Sequence, residues 1–78
     1  MLTFLAIKSC GLCTRIKPKV HDFAARRKLE IMQRYPSINE LHQIPGYPAL
    51  IDENQIPARV IIGDGILQYL EETYPPIA

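Results

Sequence analysis

Two cysteines three positions apart, Cys10 and Cys13, are the residues of this sequence best suited to chemistry. They lie where an apolar run gives way to a helical pattern, so Cys10 is expected at the start of a helix. Backbone N–H groups in the first helical turn lack partners and carry partial positive charge, which stabilises a thiolate. Cys13 would lie on the same helix face, within reach of a disulfide. The pair is predicted to act as a reversible dithiol, with Cys10 attacking and Cys13 resolving.

The spacing of the cysteines leaves two other interpretations open. A C-x-x-C pair can bind zinc, but zinc then needs two more ligands. The histidines, His21 and His42, stand eight and twenty-nine residues after Cys13, and a continuing helix would turn His21 away from the pair. The cysteines could also be unrelated structural residues, although such residues rarely meet at this spacing on a strand-to-helix junction. The dithiol is the interpretation that we carry forward.

Composition and length favour one small domain, predicted over residues 1–78. Apolar residues make up 47% and charged residues 22% of the chain, which is typical of a globular protein. No apolar stretch approaches the roughly 20 residues of a membrane span. The apolar opening run lacks the flanks of a secretory signal, and two cysteines are too few for a disulfide scaffold. We therefore expect a cytoplasmic protein.

Charge is divided unevenly along the chain. Residues 1–34 hold eight Lys/Arg against two acidic residues, a balance of +6, whereas residues 35–78 hold one Arg against six acidic residues, a balance of −5. Both cysteines lie in the basic part. Such a field concentrates anionic partners and favours a thiolate, although a solvated helix face explains the same pattern. Aromatic residues are few and no basic block is long, so nucleic-acid binding is not expected.

The hydrophobic pattern predicts the element order β-α-β-α-β-β-α. Strands are predicted at residues 1–7, 28–34, 49–52 and 59–62, and helices at residues 10–27, 37–41 and 66–73. The long first connection suits a parallel crossover, and the short turn between the last two strands makes them antiparallel. The fold class is therefore α/β, with a mixed four-stranded sheet and helices on both faces.

The sequence also predicts the structural roles of several individual residues. Pro18 lies inside the first helix, where it should produce a kink. Ser37 and Glu40 are spaced for a capping box, and Asp64 is placed to cap the last helix. Tyr47 either packs against the domain or forms a wall of a substrate groove. The aromatic residues expected to pack in the core or at helix ends are Phe4, Phe23, Tyr69 and Tyr74.

These motifs together resemble the thioredoxin/glutaredoxin superfamily over nearly the whole chain. Cys10-Gly11-Leu12-Cys13 is similar to the C-G-P-C motif of thioredoxins, with Leu12 in place of proline. Pro18 matches the proline of their active-site helix, and Tyr47-Pro48 resembles their cis-proline loop. The run at residues 69–75, Y-L-E-E-T-Y-P, is similar to the end of the N-terminal domain of glutathione S-transferases. A full transferase is not expected, because that family needs a helical second domain.

The resemblance implies a thioredoxin-like fold in its compact glutaredoxin form. It also implies that Pro48 packs beside the cysteines and that the backbone at Tyr47 pairs with substrate. Lys8 stands two residues before the first cysteine, near the place of the glutaredoxin lysine, and Asp64 is the nearest candidate for the amino group of glutathione. The C-P-Y-C motif of glutaredoxins is absent, and Ile62-Gly63 stands where transferases have Glu-Ser. Glutathione binding is therefore left open.

The function that the resemblance implies is thiol–disulfide oxidoreduction, with protein or glutathione mixed disulfides as substrates. No tightly bound cofactor or metal and a monomeric state are expected. Glutathione or thioredoxin reductase would supply electrons for cell redox homeostasis, and ribonucleotide reductase is a substrate that small donors of the family serve. Two alternatives belong to other classes. One is a non-catalytic module that binds a peptide in the Tyr47-Pro48 groove, and the other is a carrier holding an iron–sulfur cluster with glutathione between two monomers.

Overall fold

A computed structural model of the chain describes residues 1–76, and the last two residues of the predicted domain, 77 and 78, lie outside this described part. The elements follow the predicted order β-α-β-α-β-β-α. They are β1 (Leu2–Leu5), α1 (Gly11–Arg27), β2 (Ile31–Arg34), α2 (Ile38–Gln43), β3 (Ala49–Asp52), β4 (Arg59–Ile62) and α3 (Gly65–Thr73). The bounds of β3 and β4 are those predicted, whereas β1 and β2 are shorter than predicted.

The late start of β2 has a local cause at the end of α1. Lys28 adopts a left-handed conformation with φ 55°, and its N–H bonds to carbonyls of the last helical turn. Leu29 N–H then bonds to Ala24 O across 2.9 Å. This closure satisfies helix carbonyls that would otherwise lack donors. The first residues of the alternating pattern after Arg27 therefore belong to the closure of α1. The strand β2 pairs with β1 only from Ile31 onward.

The sheet has the strand order β2-β1-β3-β4. β1 runs parallel to β2, while β3 is antiparallel to both β1 and β4, so the sheet is mixed as predicted. The register places Leu5 between Arg34 and Ala49, and Ala49 beside Ile62. The loops that follow β1, β2 and β4 and the loop that precedes β3 therefore meet at one edge. We call this edge the cysteine edge, because Cys10 follows β1.

The main core lies between one sheet face and two helices, α1 and α3, which contact each other. Phe4 and Leu50 are cross-strand partners on this face and are fully buried. The predicted apolar stripe of α1 faces them, and it comprises Ile16, Val20, Phe23 and Ala24. On α3, Ile66 and Leu70 lie one helical turn apart and are also buried against this face of the sheet. This packing holds the first turn of α1 at the cysteine edge.

The other sheet face is tied to α2 through Arg34. Its guanidinium donates to both carboxylate oxygens of Glu40, at 2.6 and 2.8 Å. Ser37 and Glu40 form the predicted capping box at the start of this helix. The hydrogen bond from Arg34, followed by that from the Ser37 backbone, lowers the pKa of Glu40 to about 2. Side chains along β2 point alternately to the two faces of the sheet, and those next to Arg34 face the main core. The side chain of Arg34, and with it α2, therefore lies on the opposite face of the sheet.

The structure bears on two sequence-based expectations about the helices, one at Pro18 in α1 and one at the start of α3. Pro18 lies within α1, which continues unbroken from Gly11 to Arg27. Asp64 occupies the predicted N-cap position of α3, but its side chain makes no capping hydrogen bond. Its backbone is already helical, with φ −73° and ψ −10°, whereas a capping side chain needs an extended backbone. Among residues 1–76, no helix is long and apolar enough to cross a membrane.

Candidate functional site

The two cysteines occupy the first turn of α1. Cys10 is the N-cap residue, with an extended backbone, and its sulfur accepts a hydrogen bond from Cys13 N–H at 3.1 Å. Ser9, at φ 60°, turns the chain from β1 into this helix. No acidic residue stands in the first turn of α1, so negative side-chain charge does not oppose a thiolate there. The predicted position of Cys10 at a strand-to-helix junction is confirmed.

Cys10 and Cys13 are joined as a disulfide, with their Cα atoms 5.2 Å apart. Cys13 is 3% exposed and belongs to the main core, whereas Cys10 is only half-buried against it. An incoming thiolate or disulfide therefore reaches the sulfur of Cys10 more readily than that of Cys13. Such a close pair, with one accessible and one protected sulfur, fits a redox-active dithiol.

The loop before β3 and the loop after β4 join the cysteines at the same edge. The Tyr47–Pro48 peptide bond is cis, as the resemblance implies, and Pro48 is fully buried. Its carbonyl accepts Gly63 N–H at 2.8 Å. A Cβ atom built at Gly63 would lie 4.0 Å from Cδ2 of Leu12, which stands between the two cysteines. The structure thus brings the cysteine loop, the Pro48 loop and the Gly63 loop together.

Tyr47 has a packing role in this arrangement. Its hydroxyl donates to the carbonyl of Glu40 across 3.2 Å, and its ring packs against the main core. Burial, with a smaller contribution from the Glu40 carboxylate, raises the pKa of the Tyr47 phenol. Tyr47 therefore ties the Pro48 loop to α2, and its place in a substrate groove stays a prediction.

The remaining candidate residues, Lys8 and Asp64, are both exposed at the cysteine edge. Lys8 lies in the turn between β1 and α1, and Asp64 lies between β4 and α3. Within residues 1–76, neither side chain takes part in an ion pair. Both side chains are accessible to a ligand, and their role in glutathione binding stays a prediction.

A cavity of about 110 Å³ lies on the other side of the disulfide. Its floor is the chain leaving β1, one wall is α1 with Cys13 and Lys17, and the other wall is the end of β2 with Gln33 and Tyr35. Sequence reasoning missed Gln33 and Tyr35. The period-two alternation of β2 was the available signal for Gln33, because it places this residue on the face that α1 covers.

A second polar cluster surrounds Asp52, which is fully buried at the far end of β3. Tyr69 and Tyr74 donate to its carboxylate, at 2.6 Å and 2.9 Å, and Asn54 N–H donates at 3.0 Å. Burial raises the pKa of Asp52, but these hydrogen bonds lower it by more, so the carboxyl stays below its ordinary range. The two tyrosines thus have the predicted packing role, whereas the buried carboxylate was not foreseen. Asp52 pairs with Leu2, away from the cysteine edge.

No group of three or more His, Cys, Asp or Glu residues in the described part of the chain is arranged to hold a metal ion. His21 is engaged elsewhere: its Nε2 lies 2.7 Å from Gln33 Oε1, and its ring packs edge-on against Phe4. A zinc site that combines this histidine with the cysteine pair is therefore not formed among residues 1–76.

Comparison with known families and with curated proteins finds no match to this chain. The structure itself shows a compact α/β fold with a four-stranded mixed sheet and helices. It also shows a close Cys10–Cys13 pair at the start of α1. Both features are compatible with a thioredoxin-like protein, and the pair fits a redox-active dithiol.

Proposed function

We propose that this protein is a thiol–disulfide oxidoreductase of the glutaredoxin type. One observation carries the proposal: the Cys10 sulfur stands at the N-cap of α1 and accepts the Cys13 N–H at 3.1 Å, while Cys13 itself is buried. This arrangement stabilises negative charge on the accessible sulfur and keeps its partner within bonding distance but protected from substrate. A dithiol enzyme needs this division between its two sulfurs.

The reaction begins with the reduced pair. The Cys10 thiolate attacks one sulfur of a substrate disulfide, forms a mixed disulfide and expels the second substrate sulfur as a thiolate, which takes a proton from water. Cys13 then loses its proton and attacks the sulfur of Cys10. This step forms the Cys10–Cys13 bond and releases the first substrate sulfur as a thiolate. Two electrons have passed from the dithiol to the substrate.

A thiol reductant must then restore the dithiol. Two glutathione molecules would supply the two electrons and leave as glutathione disulfide, or a thioredoxin reductase would supply them. The exposed side chains of Lys8 and Asp64 and the Pro48 loop stand at the cysteine edge, where glutathione or a protein substrate would dock. We propose protein disulfides, including that of ribonucleotide reductase, and glutathione mixed disulfides as substrates of a monomer without a tightly bound cofactor.

The test is the reduction of insulin and of a glutathione mixed disulfide, with glutathione and then thioredoxin reductase as electron source. Turnover with glutathione places the protein with glutaredoxins and assigns Asp64 a ligand role. The Asp64→Asn variant should then bind glutathione more weakly. Turnover with the reductase alone describes a thioredoxin-like donor. Failure of all four combinations would contradict the proposal and favour a binding module.

Single-cysteine variants assign the two roles. Cys10→Ser should lose all turnover, because it removes the attacking sulfur. Cys13→Ser should accumulate a mixed disulfide with the substrate, visible as a mass adduct that dithiothreitol removes. Complete reduction of insulin by Cys13→Ser without another thiol would contradict the resolving role of Cys13.

A further inference from the structure

The cavity beside Cys13 lies apart from the Pro48 and Gly63 loops. In the strand order β2-β1-β3-β4, the strand that ends at Arg34 and the strand that follows Pro48 lie on opposite sides of β1. The cavity lies on the β2 side of the disulfide. Its volume of about 110 Å³ has room for roughly three or four water-sized groups, enough for one carboxylate.

Lys17 provides the cavity with a positive charge. It follows Cys13 by one helical turn, so both residues lie on the same face of α1 and line the cavity. The ion pairs found within residues 1–76 are Arg26–Asp22 and Arg34–Glu40, and neither involves Lys17. Among the described residues, no acidic side chain lines the cavity. Lys17 therefore lines the cavity without a counter-ion from the described residues.

Neighbouring groups add hydrogen-bonding capacity. Gln33 Oε1 accepts from His21 Nε2 at 2.7 Å, which holds the Gln33 side chain and leaves its amide N–H groups as donors. Tyr35, which is 64% exposed, brings a phenol to the rim. Thr14 is already engaged, since its hydroxyl donates to Cys10 O at 3.1 Å. A cation together with amide and phenol donors is suited to a carboxylate.

We propose that this cavity accepts the carboxylate of a Glu or Asp side chain adjacent to the cysteine of a disulfide substrate. The protein would then prefer acidic peptide disulfides. This inference rests on the proposed oxidoreductase function and adds a substrate preference to it. Lys17 acts as a specificity residue, because it lines the same cavity as the resolving Cys13.

The experiment uses three disulfide-linked peptides that differ only in one residue beside the cysteine, which is Glu, Gln or Lys. The wild-type protein should reduce the Glu peptide with a kcat/KM roughly fivefold above that of the Gln peptide, and the Lys peptide more slowly still. The preference should weaken as salt is raised from 50 to 500 mM, because the ion pair is accessible to solvent.

Matched variants separate the cavity from the general positive charge of this part of the chain. Lys17→Gln should abolish the preference for Glu, and Lys17→Glu should reverse it. Lys19→Gln removes the same charge from an exposed residue of the same helix that does not line the cavity, and should retain the preference. Circular dichroism and insulin reduction verify that each variant is folded and active.

The outcomes distinguish the two proposals. Equal rates on all three peptides, or equal loss of preference in the Lys17→Gln and Lys19→Gln variants, would overturn the assignment of the cavity while leaving the oxidoreductase function intact. Reduction of none of the peptides, together with failure on insulin, would overturn the oxidoreductase function and the preference with it.

Discussion

The backbone N–H of Cys13 donates a hydrogen bond to the sulfur of Cys10 across 3.1 Å. In the proposed mechanism, the resolving Cys13 therefore supports the attacking Cys10 through its main chain before its own sulfur takes part. The side chain of Cys13 meanwhile stays in the core, 3% exposed. Local backbone geometry thus gives different surroundings to two identical side chains that are only three residues apart in sequence.

This relationship predicts selective alkylation of the reduced protein. Iodoacetamide at neutral pH should modify Cys10 before Cys13, since only the former is accessible and stabilised as a thiolate by the helix start. Peptide mapping by mass spectrometry after short reaction times measures both rates. The Cys13→Ser variant should be alkylated at the wild-type rate, and Cys10→Ser should react much more slowly. Similar rates at the two cysteines would contradict the assignment.

Gly63 should be sensitive to the addition of a single methyl group. Its φ of +71° is unfavourable for any residue with a Cβ, so Gly63→Ala should lower the free energy of unfolding by roughly 1 kcal/mol. The change should also reduce kcat/KM, because Gly63 N–H holds Pro48 O at 2.8 Å beside the cysteine loop. Urea unfolding and insulin reduction provide the two measurements.

Gly65→Ala is the matched control for this substitution. Gly65 is helical, and a Cβ there would be in ordinary contact with Ile61 at 3.9 Å. Alanine should therefore leave stability unchanged or raise it slightly. Equal losses of stability in the two variants would show that the left-handed conformation at Gly63 is not the cause.

The carboxylate of Asp52 should matter for stability and not for chemistry. Asp52→Asn keeps the shape but loses the charge that accepts hydrogen bonds from Tyr69 and Tyr74, so it should cost about 2 kcal/mol of unfolding free energy. Activity at 25 °C should persist, because the cluster lies at the end of β3 away from the cysteines. Asp64→Asn, at an exposed residue without a cap bond, should change stability by less than about 0.5 kcal/mol. Equal stabilities of the two variants would refute this role of Asp52.

Acid should destabilise the protein through Glu40. Its pKa is lowered from 4.5 to about 2 in the folded chain, chiefly by the hydrogen bond from Arg34. A carboxyl with a depressed folded pKa contributes stability above its unfolded pKa and loses that contribution as the pH falls toward the folded value. The decline should therefore occur between pH 4.5 and pH 2. The lowered pKa of Asp52 acts in the same direction.

Urea unfolding at several pH values from 7 to 2.5 measures this decline. Glu40→Gln should be less stable than the wild type at pH 7 and should lose less stability on acidification, because the group that titrates is gone. Glu71→Gln, on the exposed surface of α3, should keep the wild-type dependence on pH. An unchanged acid response in Glu40→Gln would exclude its pair with Arg34 as the source.

Much of the fold could be predicted because its elements have local causes. Alternation and apolar runs placed β3 and β4 at their observed bounds, and the stripe of α1 is buried as its spacing indicates. The capping box at Ser37 needs only residues within one helical turn. The capping hydrogen bond expected at Asp64 does not form, because the backbone angles of a cap depend on how the preceding strand leads into the helix.

The sequence by itself determined the element order and the placement of two cysteines at a helix start, since both follow from periodicities and spacings within a few residues. Only the tertiary structure decided which strands are neighbours, and therefore which side chains surround the pair. Insertion of β1 between β2 and β3 brings Gln33 and Pro48 to opposite sides of the cysteines. Pairing between distant strands also buries Asp52 under two tyrosines of the last turns. Such contacts depend on the packing of the whole core, which no local pattern specifies.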